Sequence, residues 1–175
     1  PSVVAASSKA AKIARIHGGF KATAEGNYSI GQIQVVDIDV QEAIPKIVSS
    51  SSEIIDLANS KSETLSKLGK GVKEITCKEV KTDSNSMLIV ELLIDVGDAM
   101  GANVTNTVCE AVSPLIEKLS GGRTLLRILS NYSTKRMITA SAIFDKDSVG
   151  GEKVVDDMIS AFQFANNDTF RAVTH

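Results

Sequence analysis

The sequence predicts an α+β protein, an antiparallel sheet with helices on one face, set between two flanking segments of another domain. Three observations carry this. Within residues 29–129 four stretches alternate or run apolar at strand length. Helical periodicities separate them, so the order reads β, αα, β, β, α, β. The residues before and after keep patterns of their own that do not extend that order.

Residues 2–16 read as a helix of small side chains, with Ala5, Ala6, Ser7, Ser8, Ala10, Ala11 and Ala14. Pro1 suits its first turn, where a missing N–H has no partner to lose, and Gly18-Gly19 stops it. Residues 29–39 alternate Ile30, Ile33, Val35, Val36 and Ile38 with polar residues, as a strand does. Residues 40–68 are helical through Ile44, Ile47, Val48, Ile54, Ile55, Leu57 and Ala58. The run Ser49 to Ser52 divides them in two, because serine competes for backbone hydrogen bonds and prefers caps. Gly69 and Gly71 end the segment.

Residues 72–82 form a strand with one wet face, Asp83-Ser84-Asn85-Ser86 a turn, and residues 87–96 a central strand. The short turn makes the pair a hairpin. Asp98 is expected to cap a helix over 99–119, kinked at Pro114 and closed by Gly121-Gly122. Residues 123–129 and 136–144 are strands, and 151–166 an amphipathic helix. The resulting order is that of a ferredoxin-like plait. Residues 29–131 are its expected bounds, inserted into a larger α/β domain of which 1–28 and 132–175 are the outgoing and returning strokes. The start at Pro1 and the stop at His175 are expected of a piece of a longer protein.

Composition narrows the function. The chain has 175 residues, 43% hydrophobic and 23% charged, and so belongs to a folded class. Nineteen Lys and Arg against 21 Asp and Glu give a net charge of −2, with no overall pull toward nucleic acid or an anionic membrane. Aromatics are 4%, with no Trp, too few for base-stacking platforms. The longest apolar run, 87–96, contains Glu91 and Asp95 and falls short of the roughly 20 residues a membrane span needs. Cys77 and Cys109 fit no zinc spacing, and a reducing cytoplasm is the inferred compartment. With only His17 and His175, neither a hydrolytic triad nor a metal site is indicated. His17 reads as a cation at a helix C-terminus.

The glycines of Leu68-Gly69-Lys70-Gly71 and Ser120-Gly121-Gly122-Arg123 follow helices rather than strands, so they read as helix ends. One segment differs: Asp95-Val96-Gly97-Asp98-Ala99-Met100-Gly101-Ala102-Asn103-Val104-Thr105-Asn106-Thr107. There a strand ends, a helix begins, and glycine opens the backbone N–H groups to close approach. A dinucleotide pyrophosphate site and a plain capped helix both fit these residues.

Asp98-Ala99-Met100-Gly101-Ala102-Asn103 followed by Asn106-Thr107 resembles the nicotinamide-cofactor motif of class II 3-hydroxy-3-methylglutaryl-coenzyme A reductases. The likeness runs the length of the chain. Pro1 to Ala6, Ala10-Ala11-Lys12 and Gly18-Gly19-Phe20 resemble the run after the family's catalytic glutamate. Ile30-Gly31-Gln32-Ile33-Gln34 and Leu126-Arg127-Ile128-Leu129-Ser130-Asn131 resemble the runs into and out of its small domain. Phe170-Arg171-Ala172-Val173-Thr174-His175 resembles the approach to its catalytic lysine.

The resemblance implies NAD(P)H-dependent reduction of hydroxymethylglutaryl-coenzyme A to mevalonate and coenzyme A, by two hydride transfers, on the way to isoprenoids. It implies that no catalytic residue lies in this span. The glutamate would precede Pro1, the lysine would follow His175, and the aspartate and histidine would lie further on, so the chain alone is expected to be inactive. Asp98, Met100, Gly101, Ala102 and Asn103 would line the cofactor, Asn131 would bond near the nicotinamide ribose, and Ser2 and Arg171 would hold the substrate carboxylate. NADPH is expected over NADH. Ser62 stands where NADH-preferring relatives carry an aspartate, with Lys61 and Lys67 beside it, although Glu63 one place on argues the other way. A homodimer or larger homo-oligomer in the cytoplasm is expected, with neither nucleic acid nor membrane as partner. The alternative reading is a non-catalytic ferredoxin-like module for cofactor binding or interaction.

Overall fold

The computed structural model describes residues 2–83 and 85–174. Pro1 in the first turn, Ser84 of the hairpin turn, His175 and the Glu63 side chain lie outside the described residues. The elements are α1 (Ser2–Ala14), β1 (Lys21–Glu25), β2 (Tyr28–Val36), α2 (Val40–Ser49), α3 (Ser51–Ser60), α4 (Glu63–Lys67), β3 (Gly71–Lys81), β4 (Ser86–Asp95), α5 (Ala102–Ser120), β5 (Arg123–Ser130), β6 (Met137–Ser141), α6 (Glu152–Asn167) and α7 (Thr169–Ala172). They fall into two compact units, Ala24–Met137 and the two chain ends, up to Thr23 and from Ile138.

In the Ala24–Met137 unit a four-stranded sheet has the order β3-β4-β2-β5, every neighbour antiparallel. Burial alternates along the strands. Ile33 and Val35 of β2 and Leu88, Val90, Leu92 and Ile94 of β4 are fully buried, and the residues between them half-buried. That period of two marks one dry face. Ala43, Ile47, Ile54, Ala58, Val108, Val112 and Ile116, from α2, α3 and α5, complete its core.

Local chemistry sets the helix bounds. The Asp39 carboxylate accepts from the Gln41 and Glu42 amides, a side-chain cap that starts α2. The serine run ends it as expected: Ser49 and Ser51 hydroxyls donate back to the Lys46 and Val48 carbonyls at 3.0 and 2.7 Å.

On the wetter face, Gln32 Nε2 and Lys78 Nζ both donate to Glu91 Oε1, at 2.7 and 2.6 Å. Burial alone would raise the Glu91 carboxyl. The bonds from Lys78 and Gln32, with the Lys78 charge, outweigh it and hold the carboxyl below its ordinary range. The folded protein therefore holds this proton more weakly than the unfolded chain does. The stabilisation is complete above the unfolded pKa and fades as pH falls through the folded one. Glu91→Gln is expected to cost more stability at pH 7 than at pH 3 in urea melts; an equal cost at both would contradict it.

In the other unit, Ala14 is the one buried residue among those described. Val3, Val4, Met158, Ile159, Phe162, Phe164, Phe170 and Val173 are all exposed. Faces of this size call for a covering partner. His17 Nε2 lies 2.6 Å from Asp145 Oδ2, and the Phe20 and Phe144 rings meet edge to face at 6.1 Å.

Four expectations change. The helical stretch over 40–68 breaks into three helices rather than two, α3 ending at Ser60 and α4 beginning at Glu63. Lys21–Glu25 is a strand, paired with β6. The strand expected over 136–144 is confined to Met137–Ser141. Asp98 does not cap α5, which begins at Ala102 with Gly101 as its N-cap residue.

Candidate functional site

The segment singled out by its sequence is a loop, residues 96–101, between the end of β4 and the start of α5. Two backbone turns shape it. Gly97 has φ +58° and Gly101 φ +93°, both in the left-handed region that glycine enters without a Cβ penalty. Asp95 Oδ1 accepts from the Gly97 amide at 3.0 Å, and its other oxygen lies 3.4 Å from Lys70 Nζ.

The far side of the loop is held by Arg136, whose Nη1 donates to the Ala99 and Met100 carbonyls at 3.0 and 3.2 Å. Met100 on this loop is 76% exposed. Asp98 and Asn103 are also exposed, while Gly101 is buried and Ala102 half-buried.

Helix α5 is seated at its first turns. Thr105 Oγ1 donates to Ser29 Oγ at 2.9 Å, and Asn106 Oδ1 accepts from the Leu129 amide at 2.9 Å. No side chain caps its N-terminus. A 19-residue helix thus presents amide donors and the positive end of its dipole beside the loop. A Cβ on Gly101 would stand 3.0 Å from Val96 Cγ2, so the backbone there is already against a wall. Amides, a helix terminus and an adjacent ammonium form a donor set suited to the phosphates of a dinucleotide.

The other expected residues are spread more widely. Lys61 and Ser62 sit at the joint of α3 and α4, and Lys67 in the last turn of α4. Ser62 is half-buried, and its side chain makes no cap bond. Asn131 is exposed, just past the end of β5. Ser2 and Arg171 belong to the other unit, Ser2 exposed at the start of α1 and Arg171 half-buried in α7. The Arg171 amide donates to Asp168 Oδ1 at 2.8 Å, and its guanidinium to the Thr174 carbonyl at 2.5 Å.

Sequence reading missed Lys70 and Arg136 as loop contacts, and it read Asn106 as part of the motif but not as the partner of Leu129. Their partners lie 25, 36 to 37 and 23 positions away, so no local pattern carries the signal. The cysteines offer no nucleophile. Burial pushes the Cys77 thiol up to about 11, and burial with the Glu110 charge pushes Cys109 to about 12. Among the described residues no three His, Cys, Asp or Glu side chains gather as a metal site.

Known proteins resemble this chain in sequence and fold. The family model for hydroxymethylglutaryl-coenzyme A reductase matches residues 1–175. The 3-hydroxy-3-methylglutaryl-coenzyme A reductase of Archaeoglobus fulgidus is 47% identical over 176 residues, which cover 100% of this chain and 40% of that protein. A solved structure of the Streptococcus pneumoniae reductase superposes with a TM-score of 0.91 at 36% identity, covering 100% of this chain and 49% of that one. A structure of the class II enzyme from Streptococcus pneumoniae, bound to NADPH in open conformations, gives 0.88 at 37% identity, covering 100% and 44%. The chain therefore spans less than half the length of these relatives.

Proposed function

The chain belongs to the hydroxymethylglutaryl-coenzyme A reductase family, and from that premise we propose that it is the cofactor-binding span, with part of the substrate site, of a longer reductase. That protein reduces hydroxymethylglutaryl-coenzyme A to mevalonate and coenzyme A, with NADPH preferred over NADH. The bound nicotinamide supplies hydride, twice per substrate. The observation that carries the reading is the glycine-shaped loop beside the uncapped N-terminus of α5. The NADPH-bound pneumococcal relative supports it.

In this reading residues 29–131 form a ferredoxin-like cofactor domain, and 1–28 and 132–175 belong to the substrate domain. The strand order and antiparallel pairing support the plait. Gly101 and Ala102 bring backbone to the phosphates, Asp98, Met100 and Asn103 border the cofactor, and Asn131 bonds near its ribose. Lys61, Ser62 and Lys67 receive the 2′-phosphate, two cations and a hydroxyl donor. Arg171 and Ser2 hold the substrate carboxylate. The glutamate, lysine, aspartate and histidine of the chemistry come from beyond Pro1 and His175.

The open apolar faces of α1 and α6 fit burial within a larger protein that forms a homodimer or higher homo-oligomer. Both cysteines are free, as a reducing cytoplasm keeps them. No described helix is long and apolar enough to cross a membrane.

Steady-state kinetics of the full-length protein test the reading. Two NADPH should be oxidised per mevalonate formed, with kcat/KM higher for NADPH than for NADH. Changing Lys61 and Lys67 together to alanine should lower kcat/KM for NADPH about tenfold, the loss of roughly one phosphate ion pair, and spare NADH. Absence of substrate-dependent oxidation of either cofactor overturns the activity; a higher kcat/KM with NADH overturns the preference.

A further inference from the structure

We propose that Lys70 is the ammonium that meets the cofactor pyrophosphate. This rests on the nicotinamide reading above and adds a residue to it. Lys70 follows α4, three positions beyond Lys67, yet its side chain reaches across the chain to the loop before α5. A Cβ on Gly97 would lie 3.4 Å from Lys70 Cε, 3.7 Å from Cδ and 4.0 Å from Nζ. The lysine stem therefore lies against Gly97, where no side chain obstructs it.

The ion pair beneath is long. Lys70 Nζ stands 3.4 Å from Asp95 Oδ2, where a tight charge-assisted bond would measure about 2.7–2.9 Å. An ammonium carries three donors, and this contact engages one of them weakly. Asp95 meanwhile spends its other oxygen on the Gly97 amide. The carboxylate thus shapes the turn and holds the lysine over it, and the lysine keeps donors for an incoming anion. The side chain is 33% exposed, partly shielded yet open to solvent on one side. The dipole of uncapped α5 adds positive potential at the same loop.

Position decides which phosphate. Lys61 and Ser62 sit at the joint of α3 and α4 and Lys67 at the end of α4, whereas Lys70 lies against the glycine loop itself. A pyrophosphate is common to NADPH and NADH, so Lys70 serves affinity for both and discriminates neither.

The test uses the full-length protein and titration calorimetry with NADPH and with NADH. Lys70→Gln shortens the stem over Gly97 by one methylene and removes the charge. It should weaken both cofactors about tenfold, the worth of one partly exposed phosphate contact, with kcat within about twofold. Lys70→Arg should restore binding to within about threefold. Asp95→Asn still accepts the Gly97 amide and releases the lysine, so it should bind both cofactors at least as well as the parent. Unchanged binding in Lys70→Gln overturns the proposal. So does an Asp95→Asn loss equal to that of Lys70→Gln, which would make Lys70 only a brace for the turn. Weakening confined to NADPH would move the contact to the 2′-phosphate and also overturn it. A parent protein that binds neither cofactor would instead sink the nicotinamide reading itself.

Discussion

Gly101→Ala is expected to lower kcat/KM for NADPH in the full-length protein by about 10- to 100-fold, mainly through KM, a loss of roughly 1.4–2.8 kcal/mol. Two independent costs converge on this residue. Its φ of +93° is one that an L residue adopts only under strain, at about 1–3 kcal/mol. The added Cβ would also sit 3.0, 3.1 and 3.2 Å from Cγ2, Cγ1 and Cβ of Val96, a core residue with little room to retreat. Relief by shifting the loop outward is opposed by Arg136, which grips the carbonyls of Ala99 and Met100. The displacement therefore passes into the first turn of α5, where the amide donors stand.

Val96→Ala in the same chain removes the two Cγ contacts but leaves the Cβ contact at 3.2 Å and the strained φ, so the double variant should recover part of the loss. Circular dichroism distinguishes a displaced loop from an unfolded protein. A Gly101→Ala enzyme within twofold of the parent would mean that this loop does not cradle the cofactor.

The same loop shows where local pattern stops informing. Asp98 is a favoured cap residue standing between a strand and a helical periodicity, so a helix start there is the natural inference. It fails because helix onset here is set by the left-handed turn at Gly101, and φ is not written in residue type when Ala99 and Met100 also favour helix. Met100 falls inside the helix expected over 99–119, yet it lies on the loop and is 76% exposed. Strand β2 and helix α2 were legible because apolar residues alternate along one and recur at helical spacing along the other, whereas the Asp39 cap was not read. Strand β1 was not, since Lys21–Glu25 is exposed throughout and finds its partner only in β6, over a hundred residues away.

The candidate cofactor residues were legible through one contiguous motif, and the contacts that brace it were not. Lys70, Arg136 and Asn106 reach the loop or its helix only after the sheet has closed. Lys70 and Arg136 are a lysine and an arginine among many, for which a solvated side chain is the ordinary expectation, and Asn106 stands in the motif without showing its partner.

Gly31→Ala should destabilise the Ala24–Met137 unit by about 1–3 kcal/mol, the cost of overpacking one carbon into a filled core. Gly31 lies on β2 between Leu92 of β4 and Leu129 of β5, on the face that receives α5. A Cβ there would collide with Cys109 Sγ and stand 3.0 Å from Thr105 Cγ2, and both residues are fully buried. Thr105 is further held by its bond to Ser29 Oγ. The helix must therefore ride up off the sheet, and its N-terminus carries the cofactor loop with it. Loss of stability and loss of NADPH affinity should thus appear together. The melting temperature should fall by about 3–10 °C for a unit of this size. Cys109→Ala makes the space the new methyl needs, so the double variant should lose less than the sum of the two single losses, with a coupling of about 1–2 kcal/mol between contacting sites. Strict additivity in urea melts, to within about 0.5 kcal/mol, would show that α5 yields at Gly31 by some movement other than the sulfur contact.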